Sequence, residues 1–475
     1  MRKNFILIIT ISILFCSDIV AQKKITMTKE EYYNNVIAPQ RGYSLLKNSP
    51  VNSSSFADRK RSALNIGNVW AIISNAATLG YDRWGLCYEF PARSGITYRW
   101  TMAPLIGAMK RDTATGLISK KFVASGTRGA ARFSGEEFQP LPGYDAGIVD
   151  ERKNIGIAFS DIPESWPDDW PTGPYEMPKD SSFSEPCFPG IVYGKVKAPR
   201  EAYFVVTDND AENGNKPYPM GIRIDVWALQ YDDILNRNYI VYKQLVRNIS
   251  SDTLFNVYVG IHDDPDCPEQ GAAEWTDDYA ALIKIGDDVS GYSTTQDSLL
   301  WNFTYLWDGD DKAQGFVPKN VGWVGLKFLE TPVNPSTGQR AGVTTFQVFE
   351  YSAAPQNEES EYDQLAAGVM APSNIIPHSG DNTQTPNSYG PDVTYVVASG
   401  PFTLAPGEAL PFAYATIHGS NRADLFSSAM LCQLLYNANY ESAESPPEPN
   451  VTAVAGNKKI TLYWDYRSEK GIYRR

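Results

Sequence analysis

The chain has 475 residues and a formal charge of −13 at pH 7. An acidic balance of this size argues against a nucleic-acid partner, because phosphates require a basic footprint. It suits solubility outside the cell, and the length is enough to bury a full core over about two or three domains.

Arg2 and Lys3 give a positive start, residues 5–15 an apolar core too short to span a bilayer, and Ile19-Val20-Ala21 a small-residue cleavage edge. This predicts a secretory signal over residues 1–21, with the mature chain starting at Gln22. Phe15 precedes Cys16 where a lipoprotein signal needs a small residue, which argues against lipidation. No later stretch reaches the roughly 18 apolar residues of a membrane helix, so an exported chain without a transmembrane helix is expected. Cys87, Cys187, Cys267 and Cys432 survive cleavage, and an oxidising compartment permits any of three full pairings among them.

In chain order, Thr28 opens a short helix at 29–35, within a leader spanning 22–64. From residue 65 to 444, aromatic and β-branched runs are punctuated by Gly, Pro, Asn and Asp, which describes an all-β chain. Strands are expected at 68–74, 202–207, 221–229, 239–247, 254–261, 279–285, 321–329, 345–351, 393–399 and 410–418. Apolar–polar alternation in 239–247 and 254–261 signals burial on one side, hence an extended, Ig-like β-sandwich region of one or two packed sandwiches. The polar turn at 248–253 predicts that these two strands form a hairpin. Ser420 or Asn421 caps a closing helix at 423–440, where Leu425, Ala429, Cys432 and Tyr436 share one face. No periodic repeat appears, which argues against a solenoid or propeller.

Ser445-Pro-Pro-Glu-Pro449 reads as a stiff linker. Beyond it, 450–454 alternates, Gly456-Asn457 supplies a turn, and 460–464 alternates again up to Trp464. This is how a fibronectin type III module begins. Such a module needs about 90–100 residues, so 445–475 is expected to be its incomplete start in a longer modular protein.

Acidic loops are the first candidates for chemistry. Asp208 to Asn215 sets side-chain oxygens at alternate positions but departs from the EF-hand pattern, with Asn213 at the glycine position. Asp263, Asp264, Asp266, Glu269, Asp277 and Asp278 form a second cluster, and Asp308, Asp310 and Asp311 a third. Crowded carboxylates favour a hard cation, so a structural Ca2+ is expected at the second cluster if any is bound. Solvated turns built from Asp, Asn and Gly are the plain alternative. Trp166 and Trp170, in Trp166-Pro-Asp-Asp-Trp-Pro171, are the candidate ligand-binding aromatics, able to stack on sugar rings or fold back onto the sandwich.

Catalytic residues are not nominated. His262, His378 and His418 lie far apart, without a metalloprotease spacing, and no Gly-x-Ser-x-Gly elbow or phosphate loop is present. Ser44-Leu-Leu-Lys47 has no companion motifs. His262 reads as a surface residue at a strand end, and His418 as solvent-facing. Paired carboxylates could serve glycoside hydrolysis, but 55 acidic residues cannot be sorted into pairs by sequence alone.

The run 239–261 followed by Asp263-Asp264-Pro265-Asp266, together with Ser399-Gly-Pro-Phe-Thr-Leu-Ala-Pro-Gly-Glu408, resembles large secreted proteins of Gram-negative bacteria. In these, an N-terminal β-rich region precedes fibronectin type III modules, and members often end in a C-terminal sorting domain. The resemblance implies a secreted or outer-surface location and a modular build, and carries no catalytic residues. The expected function is a non-catalytic scaffold or adhesion-type protein presenting loops to a glycan or protein partner. The alternatives are a carboxylate-dependent hydrolase of polysaccharide or peptide, and a carbohydrate-binding module.

Overall fold

The computed structural model describes residues 61–77, 79, 88–126, 137–140, 157–162, 165, 196–208, 219–268, 278–289, 297–308, 321–334, 336–350, 355, 357–369, 393–442, 450–456 and 459–464. The expected signal, the 29–35 helix and the Pro-rich linker lie outside these residues.

The chain is all-β. Strands β1 (Arg61–Leu64) and β2 (Ala71–Ser74) pair with each other. There follow β3 (Arg99–Arg111), β4 (Ile118–Ser125), the short β5 (Gln139–Pro140) and β6 (Ala158–Phe159), β7 (Arg200–Thr207), β8 (Ile222–Gln230), β9 (Tyr239–Asn248) and β10 (Leu254–Pro265). Next come β11 (Asp278–Ile283), β12 (Phe303–Asp308), β13 (Trp323–Glu330), β14 (Thr345–Glu350), helix α1 (Glu358–Leu365), β15 (Val393–Leu404), β16 (Ala409–Gly419) and helix α2 (Arg422–Asn437). They build a five-stranded sheet in the order β14-β15-β10-β3-β4. A nine-stranded sheet runs β11-β12-β13-β16-β9-β8-β7-β5, with β6 on β7. Every strand ladder described in these two sheets is antiparallel.

The inner faces of the two sheets share one core. Ile106, Val259, Ile261 and Val397 of the smaller sheet meet Phe204, Ile224, Val226, Ile240, Leu326 and Tyr414 of the larger. This is a sandwich, with alternate residues facing in as the strand period requires. Each outer face carries a helix. Tyr362 and Leu365 of α1 pack on Leu105, Val123, Val396 and Ala398. Leu425, Phe426, Ala429 and Cys432 of α2 pack on Val241, Phe303, Ala415 and Ile417. Asn421 caps α2, its side chain accepting from Asp424 N, as the sequence expectation for a closing helix required.

One expectation is corrected. The strands on either side of 248–253 do not form a hairpin: β9 belongs to the nine-stranded sheet and β10 to the five-stranded sheet. The turn is an arch across the sandwich. Buried Asn248 holds it, donating from Nδ2 to the carbonyls of Asp252 (2.8 Å) and Leu404 (2.9 Å). A second arch, from β15 to β16, lies against it, where Gly407 N donates to Asn248 O (2.8 Å) and Asn248 N to Glu408 O (3.0 Å). One-sided alternation identifies a strand but not the sheet that pairs with it. Central strand β3, with β4, β12 and α1, was not anticipated by the sequence reading.

The expected strand–turn–strand beyond the linker is present as an antiparallel hairpin of β17 (Val451–Gly456) and β18 (Lys459–Trp464). No helix among the described residues is long and apolar enough to cross a membrane.

Candidate functional site

Four of the six acids of the second cluster are not solvated. Asp263 and Asp264 lie within β10, and Asp263, Asp264, Asp266 and Asp278 are all buried. Asp263 faces the interior, where Oδ1 accepts from Arg99 Nε (2.9 Å) and Oδ2 from the Tyr395 hydroxyl (2.7 Å). Both of its oxygens are therefore engaged by protein. Asp278 Oδ2 accepts from Cys267 N (3.0 Å), and the β11–β12 register sets Asp278 opposite Asp308. The tertiary structure thus joins the second and third acidic clusters at one end of the sandwich, around the buried Cys267. Carboxylates of Asp278, Asp308 and Asp266, behind the effect of burial itself, push that thiol well up from its ordinary value. Glu269 and Asp277 lie outside the described residues, as do Trp166 and Trp170. Among the described residues no group of three or more His, Cys, Asp or Glu side chains is arranged to hold a metal ion. Cys267 and Cys432 are free.

Of the first acidic loop, Asp208 is buried and serves the backbone, its carboxylate accepting from the amides of Met220 (2.8 Å), Gly221 (3.0 Å) and Ile222 (2.5 Å) at the start of β8. The histidine readings are corrected. His262 and His418 are both fully buried. His262 Nε2 lies 2.9 Å from Thr394 Oγ1. His418 does share a face with Thr416, but that face points into the core.

Arg99 organises the interior. On β3, Thr101 pairs with Asp264 and Arg99 with Pro265, so Trp100 is an extra residue in the ladder. Such a bulge shifts the in–out phase by one: Trp100 emerges at 41 % exposure while Arg99 turns fully inward. Besides Asp263, its guanidinium donates to Gly325 O (3.0 Å) and reaches His418 Nε2 (3.2 Å) across the sandwich. Arginine can only donate, so His418 Nε2 accepts and Nδ1 carries the proton. Burial and the Arg99 charge hold His418 well below its ordinary pKa, hence neutral. Burial alone would lower the Arg99 pKa, but Asp263, Tyr395 and Tyr88 outweigh it and raise the pKa. The Tyr88 ring lies under the guanidinium at 5.1 Å, and its hydroxyl is 2.7 Å from that of Tyr242. This network ties the sheets together and is sealed from solvent.

On the outer face of the large sheet, β7, β8 and β9 bring together Glu201, Tyr203, Arg223, Asp225, Trp227 and Lys243. The Tyr203 hydroxyl (2.8 Å) and Arg223 Nη2 (2.6 Å) both donate to Asp225 Oδ1. Burial raises the Glu201 pKa, against the Lys197 and Ala198 amides that donate to its carboxylate. As a catalytic pair these two acids are badly placed. Glu201 is opposite Leu229 while Asp225 is opposite Val205, so they are offset by about 13 Å along the strand, beyond the roughly 5–10 Å that glycoside hydrolysis uses.

The same outer face carries an aromatic row over β11, β12 and β13. Tyr279 and Trp307 are paired in register, and their rings lie 5.6 Å apart at 19°. Trp307 and Trp323 lie 5.2 Å apart at 13°, and Tyr305 stacks on both. All are partly exposed. Rings this close cannot lie flat side by side without their carbons meeting, so they lean in an offset stack, the favoured geometry of aromatic pairs. Phe426 of α2 meets Tyr305 edge-on at 5.1 Å, so the row begins where the helix ends its cover. The sequence reading missed this row, though a signal exists: Phe303, Tyr305 and Trp307 recur at period two, which places them on one face of a strand.

No family model matches the chain, and no curated protein does. Similar solved structures include an aldose 1-epimerase-type protein of Escherichia coli K12, at 7% identity over 76% of this chain and 99% of that one, with a TM-score of 0.29. A GalM/aldose epimerase homologue from C. elegans has 8% identity, the same coverage and a TM-score of 0.28. A copper-containing benzylamine oxidase from Hansenula polymorpha has 8% identity, 76% and 60% coverage and a TM-score of 0.31. Superpositions this loose assign neither fold family nor activity, and the sandwich stands on its own strand pairing.

Proposed function

We propose that the protein is an exported, non-catalytic binding scaffold of a Gram-negative cell exterior, engaging its partner through surfaces displayed on the sandwich. One observation carries this. Among the described residues, the one cluster that joins histidine, arginine, aspartate and tyrosine side chains lies in the sealed core, where Arg99, Asp263 and His418 are each fully buried. There they join the sheets and meet no substrate. Partly exposed aromatics lie instead on the outer face. The modular reading of β17–β18 as the start of a fibronectin type III module, and a structural Ca2+ at the acidic end, belong to the same proposal. The test is a broad screen of glycan and peptide hydrolysis with the purified protein, alongside binding to whole cells and envelope fractions. Binding without turnover is the expected result. Hydrolysis lost on changing a single Asp or Glu would replace the scaffold with an enzyme.

A further inference from the structure

We propose that the row Tyr279, Trp307 and Trp323 binds a neutral glycan chain. This rests on the binding-scaffold reading and names its ligand.

The row crosses adjacent antiparallel strands at the edge of the large sheet, with β11 outermost. It forms a continuous apolar ridge of leaning rings at separations of 5.6 and 5.2 Å. Its inner end is set by Gly419, opposite Trp323. A Cβ at Gly419 would meet Leu425 N at 2.2 Å, so the backbone of α2 sits directly on β16, and the rings beyond it are left partly exposed. An aromatic ladder whose only duty was to cover core would also bury or satisfy its polar atoms. Trp301, one strand-turn away, does so: its indole N–H donates to Asp287 O (3.1 Å). Within the described residues the indole N–H groups of Trp307 and Trp323 and the Tyr279 hydroxyl make no hydrogen bond. The surface therefore offers apolar ring area interleaved with unused donors. That matches a sugar, whose C–H face is apolar and whose rim is hydroxyl.

Charge selects among glycans. The chain is strongly acidic, at −13. Anionic polysaccharides and phosphate-bearing surfaces are repelled, whereas a neutral chain is not.

The experiment titrates the purified protein with neutral oligosaccharides (cello-, xylo-, manno- and maltohexaose) and with polygalacturonate, following tryptophan fluorescence and calorimetry. Saturable binding of at least one neutral chain, and none of polygalacturonate, is expected. Trp307→Ala and Trp323→Ala should each weaken it by about tenfold or more, the loss of an anchoring aromatic. Because either truncation also removes stacking, Trp307→Phe is the second variant. It keeps an aromatic ring, smaller than the indole, and loses the N–H donor; weaker binding at unchanged Tm supports the site. Binding undiminished in the Trp307→Ala/Trp323→Ala protein overturns it, as does the absence of binding to every neutral chain. Cell or envelope binding that persists without glycan binding removes this inference and leaves the scaffold reading. Turnover of a bound glycan removes the scaffold reading and leaves the site.

Discussion

Arg99 Nε lies 2.9 Å from Asp263 Oδ1, and neither side chain has any exposed surface. The pair sits on neighbouring strands of the small sheet, and from there the guanidinium reaches Gly325 and His418 of the large one. Burying two charges is expensive, and their attraction offsets that cost only when geometry and further hydrogen bonds are good. Here Asp263 also accepts from Tyr395, so the ion pair is satisfied as a unit and fails as a unit.

Removing one partner should leave the other charged and unpaired in the core. Arg99→Met and Asp263→Asn are each expected to cost about 3–5 kcal/mol in urea denaturation. Arg99→Met combined with Asp263→Leu should recover much of that loss, since an apolar replacement of both partners strands no charge. Single variants within about 1 kcal/mol of wild type would show that the pair is not carrying the junction between the sheets.

Lys327 gives the stability a pH dependence. It is fully buried beneath α2, with Nζ donating to Trp301 O (2.6 Å), and burial lowers its pKa from 10.5 to about 7, Cys432 opposing the shift slightly. Between about pH 7 and 10.5 the unfolded chain holds a proton that the folded chain does not, so stability should rise with pH across this window. The slope from this group approaches about 1.4 kcal/mol per unit. Below about pH 7 both states are protonated and its contribution is flat. Lys327→Met should raise stability at pH 7 and remove that slope; a slope unchanged in the variant would place its origin elsewhere.

Gly419 is a packing position. A methyl carbon added there would lie 2.2 Å from Leu425 N and 2.5 Å from Leu425 Cα, so Gly419→Ala must displace the first turn of α2. Overpacking of this kind costs about 1–3 kcal/mol. The thermal midpoint should fall, and the Tyr305 and Trp323 environment should change in near-ultraviolet circular dichroism. An unaltered midpoint would mean that the helix can retreat freely.

Calcium is tested at the acidic end. Asp266 and Asp278 are buried beside Cys267, and an ion seated on them together with Glu269 and Asp277 of the same connection should raise the midpoint relative to chelator by mass action. Asp266→Asn together with Asp278→Asn should abolish the rise. Equal midpoints with calcium and chelator would leave these acids to protein partners alone.

Local pattern was sufficient for the all-β class, for strands such as 239–247 and 410–418, and for the closing helix, because alternation and capping act over a few residues. The aromatic row was also written locally, as period-two aromatics from Phe303 to Trp307. What only the tertiary structure decided is pairing across the sandwich. The 248–253 turn has hairpin composition, yet buried Asn248 bonds to Leu404 and makes it an arch. His418 has the alternation of a half-exposed strand, yet its face is covered by the other sheet. Arg99 points inward because of one extra residue at Trp100, a phase shift set by pairing with β10. In each case the side chain's surroundings come from a strand distant in sequence, and the period of a strand carries no record of its neighbour.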